Sequence, residues 1–199
     1  MPLIVALYFK ESILIFPTIE TKRLVLNEIQ NDDKESVFEL FSNEEVTKYY
    51  DLAAFENIQQ AENLITLVRS RFKDKLGIRW AIRMKGDGKL IGTCGFNSWN
   101  VAYRSTVIGY DVNRQYWGNG YITEALKHII KMALDGKLSC DNINRIQADT
   151  IPGNVPSEKV LLKLGFSEEG IRRQSAYWKN EYHDLKSFSL LRDEYVHEI

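Results

Sequence analysis

What the chain lacks narrows its reading first. Its two cysteines, Cys94 and Cys140, form no C-x-x-C pair and its three histidines stand far apart, so neither metal-ligand spacing nor a disulfide framework is present. Reduced thiols are then the default, as in a cytoplasmic protein. Neither sign of charge is in excess: a formal net charge of −1 gives no support for a general nucleic-acid or membrane-surface binder. The apolar start MPLIVALYFKESILIFPTIETKR is broken by Lys10 and Glu11 short of a membrane span, and it has no basic n-region or small-residue cleavage site. Internal repeats and low-complexity tracts are missing. So is any Gly-Lys-Ser or Gly-Lys-Thr run, which excludes a P-loop, and Thr123 stands where a dinucleotide fingerprint would want Gly or Ala.

What is there reads as one globular domain of ordinary composition, 27% charged and 44% apolar over 199 residues. Residues 1–18 form an N-terminal extension. Leu3 to Phe9 and Ile13 to Phe16 are expected to pack on the domain as an arm or extra strand, with a badly ordered extension as the alternative. From residue 19 to 199 the pattern is strand (Arg23 to Ile29), helix after Asn31-Asp32-Asp33, a short helix plus loop from Glu44 to Phe55, and a helix from Glu56 to Lys75. Strands follow at Arg79 to Met84, Leu90 to Trp99 and Ser105 to Val112, the first two joined through the turn signal Lys85-Gly86-Asp87-Gly88-Lys89. Gly92, Gly95 and Asn97 point to a bulge or close backbone approach in the second. An amphipathic helix, a strand at 144–150, a short helix from Ser157 to Leu164 and strands at Phe166 to Arg173 and Asp184 to Leu191 complete the chain, the last two joined by the aromatic segment QSAYWKNEYH. This order gives an α/β (α+β) architecture, a mixed sheet of about seven strands with helices on its faces.

The stretch IGYDVNRQYWGNGYITEALKHIIKMAL carries the first chemical signal. A strand ending in Tyr110, Asp111 and Val112 turns through Gln115-Tyr116-Trp117-Gly118-Asn119-Gly120 into a helix whose apolar stripe begins at Ile122. The first turn of a helix leaves NH groups without intrahelical partners, at the positive end of its dipole, and glycines let an anion come close. Two glycines at a strand-to-helix turn fit a plain tight turn as well as a phosphate site.

Four stretches, IETKRLVLNEI, IGYDVNRQYWGNGYITEAL, NVPSEKVLLKLGFSEEGI and DLKSFSLLRDEY, resemble the GNAT superfamily of acyl-CoA-dependent N-acetyltransferases, especially its ribosomal-protein alanine acetyltransferase branch. They span nearly the whole chain from Ile19 onward. The resemblance implies the GNAT fold, with the sheet splayed between strands 105–112 and 144–150. It implies acetyl-CoA as co-substrate, with no metal. The pyrophosphate would then lie at Gln115, Tyr116, Trp117, Gly118, Asn119, Gly120, Tyr121 and Ile122. The pantetheine arm would pair along Tyr110, Asp111 and Val112, like an added strand, with Asn154 holding it.

Acetyl transfer to an amine needs a neutral amine, support for an oxyanion and a proton for the departing thiolate. Backbone NH groups near Tyr110 to Val112 are the resemblance-based choice for the oxyanion. Many family members place an acidic tyrosine seven residues after the asparagine; this sequence has Leu161. Ser157 is the remaining hydroxyl, either beside the coenzyme sulfur or merely capping its helix. For the base, His183, Asp184, Glu44, Glu45 and a water relay stay open, and Cys94 reads as packing rather than a nucleophile. Tyr50, Trp99 and Trp178 are expected acceptor walls, alongside Tyr49, Tyr177 and Tyr182. The function expected is transfer of an acetyl group directly to a primary amine, a protein N-terminus or a small molecule, by a monomer or homodimer. The alternative is a non-catalytic acyl-CoA-binding module or sensor.

Overall fold

The computed structural model describes residues 15–138 and 143–195, so Cys140 and residues 1–14 of the extension lie outside the described residues. The elements run β1 (Ile19–Glu20), β2 (Leu24–Glu28), α1 (Lys34–Phe41), α2 (Glu44–Thr47), α3 (Ile58–Lys73), β3 (Ile78–Met84), β4 (Leu90–Asn100) and β5 (Ser105–Val112). Then come α4 (Tyr121–Leu134), β6 (Arg145–Thr150), α5 (Val155–Lys163), β7 (Ser167–Trp178) and β8 (Glu181–Leu191). One sheet of eight strands holds them in the order β1-β2-β3-β4-β5-β6-β8-β7. The strand beyond the expected seven is β1, two residues that pair Ile19 with Leu26 and are too short to show an alternation.

Both faces are covered, each by its own core. The stripe of α4 from Ile122 to Leu134 is buried whole against Leu24, Ile82, Phe96, Ile146 and Phe188. On the other face α1 and α3 bury Val37, Leu40, Phe41, Ala61 and Ile65 over Ala81 and Leu90. Burying one such aliphatic or aromatic side chain contributes about 1.5–3 kcal/mol, so these stripes fix where each helix lies. Asn57 and Gln60 start α3 with reciprocal side-chain bonds to each other's backbone, at 3.3 and 3.1 Å. In the core on the α4 side, Phe16 lies 4.7 Å from Phe72 and Trp80 Nε1 donates to the Pro17 carbonyl at 2.7 Å, so the end of the extension packs on the domain.

The expected hairpin closes at Met84 and Leu90, and the register of β4 shifts between Phe96 and Ser98, the bulge its glycines suggested. One expectation is corrected. QSAYWKNEYH is not a connecting segment; it is the distal half of a long β7–β8 hairpin that turns at Lys179-Asn180, with φ 49° and 62°. These two central residues with positive φ suit the right-handed twist of a hairpin.

The feature that positions the site is the pairing of β5 with β6, the sheet's parallel pair. It is limited to Ser105↔Arg145, Thr106↔Ile146 and Val107↔Gln147, while β5 runs on to Val112 and β6 to Thr150. The sheet opens there into a wedge, with α4 entering beside β5 and α5 beginning just beyond β6.

Candidate active site

The wedge has a backbone wall, and its alternation decides which groups face it. The Arg104 carbonyl accepts from Asn144 NH at 2.7 Å on the β6 side, whereas Asn113 NH donates to the Ile91 carbonyl at 2.8 Å on the β4 side. In a regular strand, even-numbered residues therefore aim NH and C=O at the wedge and odd-numbered ones at β4. Tyr110 and Val112 face the wedge. Asp111 does not, and the Val112 carbonyl is already occupied by Trp117 Nε1 at 2.8 Å. Of the three residues expected to line the pantetheine arm, Tyr110 keeps the freest backbone.

Asp111 has a different task. Its side chain is almost fully buried, paired with Arg79 and bonded to Thr93 Oγ1 at 3.0 Å. Arg79 also reaches Thr93 Oγ1 at 2.7 Å, Asn97 Oδ1 at 3.0 Å and the Tyr50 hydroxyl at 3.1 Å. Burial pushes the Tyr50 phenol well up, so it stays a neutral hydroxyl within this network. Tyr50, which packs edge-on to Phe41, is thus a tie between the early tyrosine segment and the end of β5.

At the turn expected to take the phosphate, Gly118 and Gly120 both hold φ +76°, a left-handed conformation that a side chain disfavours, and a Cβ on Gly118 would meet nothing within 4 Å. The turn is open to solvent and leads straight into the first turn of α4. Asn119 Nδ2 ties it by donating to the carbonyls of Tyr116 and Trp117, while Ile122 buries its side chain and leaves its NH at the helix end. Sequence reading missed Arg23. It donates Nη1 to the Asn119 carbonyl at 3.0 Å and Nε to Glu124 at 2.6 Å, and its guanidinium lies 4.4 Å over the Tyr121 ring. Burial would raise the Glu124 carboxyl, yet bonds from Thr21 and Arg23 outweigh it and hold the group below its ordinary value. The spacing from the first strand to the helix gave no sign of this contact, which spans most of the domain.

On the far wall, Asn154 caps α5 through Oδ1, which accepts from Ser157 NH at 3.4 Å, with Pro156 in the first turn. Ser157 is therefore not the cap. Its Oγ stands 2.7 Å from the Tyr110 hydroxyl, across the wedge. Leu161, 1% exposed, lies in the core. Thr150 ends β6 with its Oγ1 buried and unpaired among the described residues. Continuing the register that pairs Val107 with Gln147 sets it opposite Tyr110. An open wedge, an orphaned hydroxyl and a free helix N-terminus fit a long polar ligand with an anionic end.

The residues expected to wall an acceptor site are brought together only in part. Tyr49 donates its hydroxyl to the Gly153 carbonyl at 3.3 Å, and Lys179 Nζ reaches the Thr47 carbonyl at 2.8 Å, so the early segment touches both the α5 entry and the β7–β8 tip. Trp178 sits at that tip, stacked 4.4 Å from His183. Trp99 does not join them. It pairs with Thr106 at the opposite end of β5, packs on Phe96 and donates to the Lys75 carbonyl. Tyr177 and Tyr182 pack on each other and stay exposed. Among the candidate bases, His183 Nε2 is engaged with the Trp178 carbonyl and Glu45 with Arg114. Burial pushes the Cys94 thiol up to about 12, which keeps it protonated and unfit as a nucleophile. Among the described residues no cluster of three or more metal-ligating side chains occurs, and no helix is long and apolar enough to cross a membrane.

A two-glycine strand-to-helix turn beside a parallel pair that splays defines a class, and comparison with known proteins gives it a name. Residues 23–167 match the acetyltransferase (GNAT) domain family, and the chain belongs to that family. It is 35% identical to the uncharacterized N-acetyltransferase YoaA of Bacillus subtilis over 178 residues, 89% of this chain and 98% of that one. A GNAT-family acetyltransferase structure from Bacillus anthracis superposes with a TM-score of 0.78 at 24% identity, covering 89% of this chain and 99% of that chain. The ribosomal-protein-S5-alanine acetyltransferase of Vibrio fischeri does so at 0.76 and 22%, covering 90% and 99%. The protein is an acyltransferase of the GNAT fold, and its family implies acetyl-CoA-dependent acetylation.

Proposed function

We propose that this chain transfers the acetyl group of acetyl-CoA directly to a primary amine, either a protein N-terminus or a small-molecule amine. The observation that carries the reading is the wedge between β5 and β6, which opens beyond Val107↔Gln147 with the α4 N-terminus at one end and Ser157 on its far wall. When bound, acetyl-CoA supplies the acyl group already activated as a thioester. The NH groups of Gly118 to Ile122 hold its pyrophosphate, and the Tyr110 backbone pairs with its pantetheine arm. Asn154 spends Oδ1 on the helix cap and keeps its amide protons for the same arm. Ser157 offers a proton to the departing sulfur, the role Leu161 cannot fill, and the proton that the acylated amine sheds restores the serine. The acceptor enters from the other side, between the Thr47 to Tyr50 segment and the β7–β8 tip, and the relatives named for ribosomal proteins favour a protein N-terminus.

The experiment is free-thiol release from acetyl-CoA with a panel of peptides bearing free N-termini and of small amines. Turnover with one class names the acceptor. Tight coenzyme binding with no turnover on any amine would replace the enzyme reading by that of a sensor, which the engagement of His183 and Glu45 elsewhere would then explain.

A further inference from the structure

Tyr110 contributes more to the wedge than backbone. Its ring packs against the core on the α4 side of β5, and its hydroxyl lies 2.7 Å from Ser157 Oγ and 3.2 Å from the Ser157 carbonyl. Each hydroxyl has one proton and the Ser157 carbonyl can only accept, so the phenol's proton goes either to that carbonyl or, along the shorter contact, to Oγ, and this choice decides where the serine proton points. If Ser157 donated to Tyr110, nothing would remain for a sulfur in the wedge. Burial pushes the Tyr110 phenol up to about 12, with the Ser157 bond opposing it only in part, so the ring keeps a proton to give throughout the neutral range. The neighbouring charges on α5 and β8, Glu158 and Lys186, are paired at 3.0 Å, and Lys186 also meets Glu168 at 3.5 Å.

We propose that Tyr110 is a positioning residue, whose hydroxyl donates to Ser157 Oγ and so turns the serine proton into the wedge, where it meets the coenzyme sulfur. This rests on the acetyl-CoA reading above. Donation to Oγ also polarises the serine hydroxyl, making it a better donor in turn. The core leucine at 161 and the phenol at 110 are then two parts of one arrangement. The aromatic hydroxyl that the α5 position lacks is supplied from β5, acting through serine rather than on sulfur itself. No bond is made or broken at Tyr110, and no proton leaves it.

The test needs no acceptor. Coenzyme A is bound to the parent, Tyr110→Phe, Ser157→Ala and the double variant, with affinity measured by calorimetry and folding by circular dichroism. The bound thiol is then titrated by its thiolate absorbance. The expected result is a bound thiol more acidic in the parent than in Ser157→Ala, with Tyr110→Phe moved to the Ser157→Ala value, the double variant no different, and affinities within about twofold because the ring remains. Once an acceptor is found, Tyr110→Phe should lower kcat about tenfold, a loss of one hydrogen bond's size, at unchanged acetyl-CoA KM. A Tyr110→Phe titration that overlays the parent's, or one that shifts equally with and without Ser157, overturns the proposal alone. If the parent binds no coenzyme A, the acetyl-CoA reading itself falls, and this inference with it.

Discussion

Asn154 and Ser157 divide two jobs that sequence alone could not separate, since either side chain can cap a helix. Because the cap is Asn154, Ser157→Ala should leave thermal stability nearly unchanged while lowering kcat, with coenzyme affinity preserved. A fall in melting temperature at full rate would return the serine to a structural role. Asn154→Ala should cost about 1 kcal/mol of stability, as lost caps do, and weaken coenzyme binding as well. Arg79 was invisible as a functional residue: in sequence it is one arginine at a strand start, and only the register of β3, β4 and β5 brings Thr93 and Asp111 to it. Arg79→Met would leave Asp111 buried without its countercharge, and breaking such a pair costs about 3–5 kcal/mol. Thermal melting of the variant, expected to drop on the order of 10 °C for a domain of this size, checks it.

At the scale of elements, legibility followed the contrast between buried and exposed faces. The stripe of α4 and the two-glycine turn were readable because one side of the helix is buried and the other is not. Both glycines hold φ +76°, so Gly120→Val should strain the turn and block a phosphate's approach. The folded variant is expected to lose coenzyme affinity by about tenfold or more in calorimetry, and equal affinity would remove the turn from the site. The distal half of β7 stayed hidden for the opposite reason. Most of its residues face solvent on both sides, so no alternation marks it as a strand, and its turn is Lys-Asn rather than Asn-Gly. Polar bonds hold its proximal half: Arg145 pairs with Glu169, Ser189 donates to Glu169 at 2.8 Å, and Arg172 meets Asp149 at 2.7 Å. The Arg145 guanidinium is the main reason that the Glu169 carboxyl falls from 4.5 to about 2. A carboxyl lowered by folding stabilises the fold fully above its ordinary value and loses that contribution as pH falls. Acidification from pH 4.5 towards 2 should therefore lower the melting temperature of the parent more than that of Glu169→Gln, and parallel curves would show that this partly exposed pair contributes nothing measurable.

For the molecule as a whole, the order of elements was enough to give a mixed sheet with helices on both faces. The placement of side chains on the acceptor side was not, because it depends on which loops meet. Trp99, read at the end of a strand, and Trp178, read in a connecting segment, both stand beside polar residues in sequence, yet one pairs with the far end of β5 and the other sits at the hairpin tip that bonds to Thr47. Tyr50 likewise has a structural share, through Arg79 and Asp111, that a plain wall residue would lack. The two sides of the wedge can now be separated by paired substitutions. Trp178→Ala removes an aromatic surface from the tip without touching β5, α4 or α5, so it should raise the acceptor's KM several-fold and leave that for acetyl-CoA unchanged. Tyr50→Phe keeps the ring on Phe41 and deletes only the hydroxyl tie, so its effect should be the smaller of the two on acceptor capture, with a modest loss of stability from the bond to Arg79. Trp99→Ala is the internal control: it should lower stability through lost packing on Phe96 and change neither KM. Should Trp178→Ala instead raise the KM for acetyl-CoA selectively, the coenzyme and the acceptor enter from the sides opposite to those assigned. The β7–β8 tip would then belong to the coenzyme.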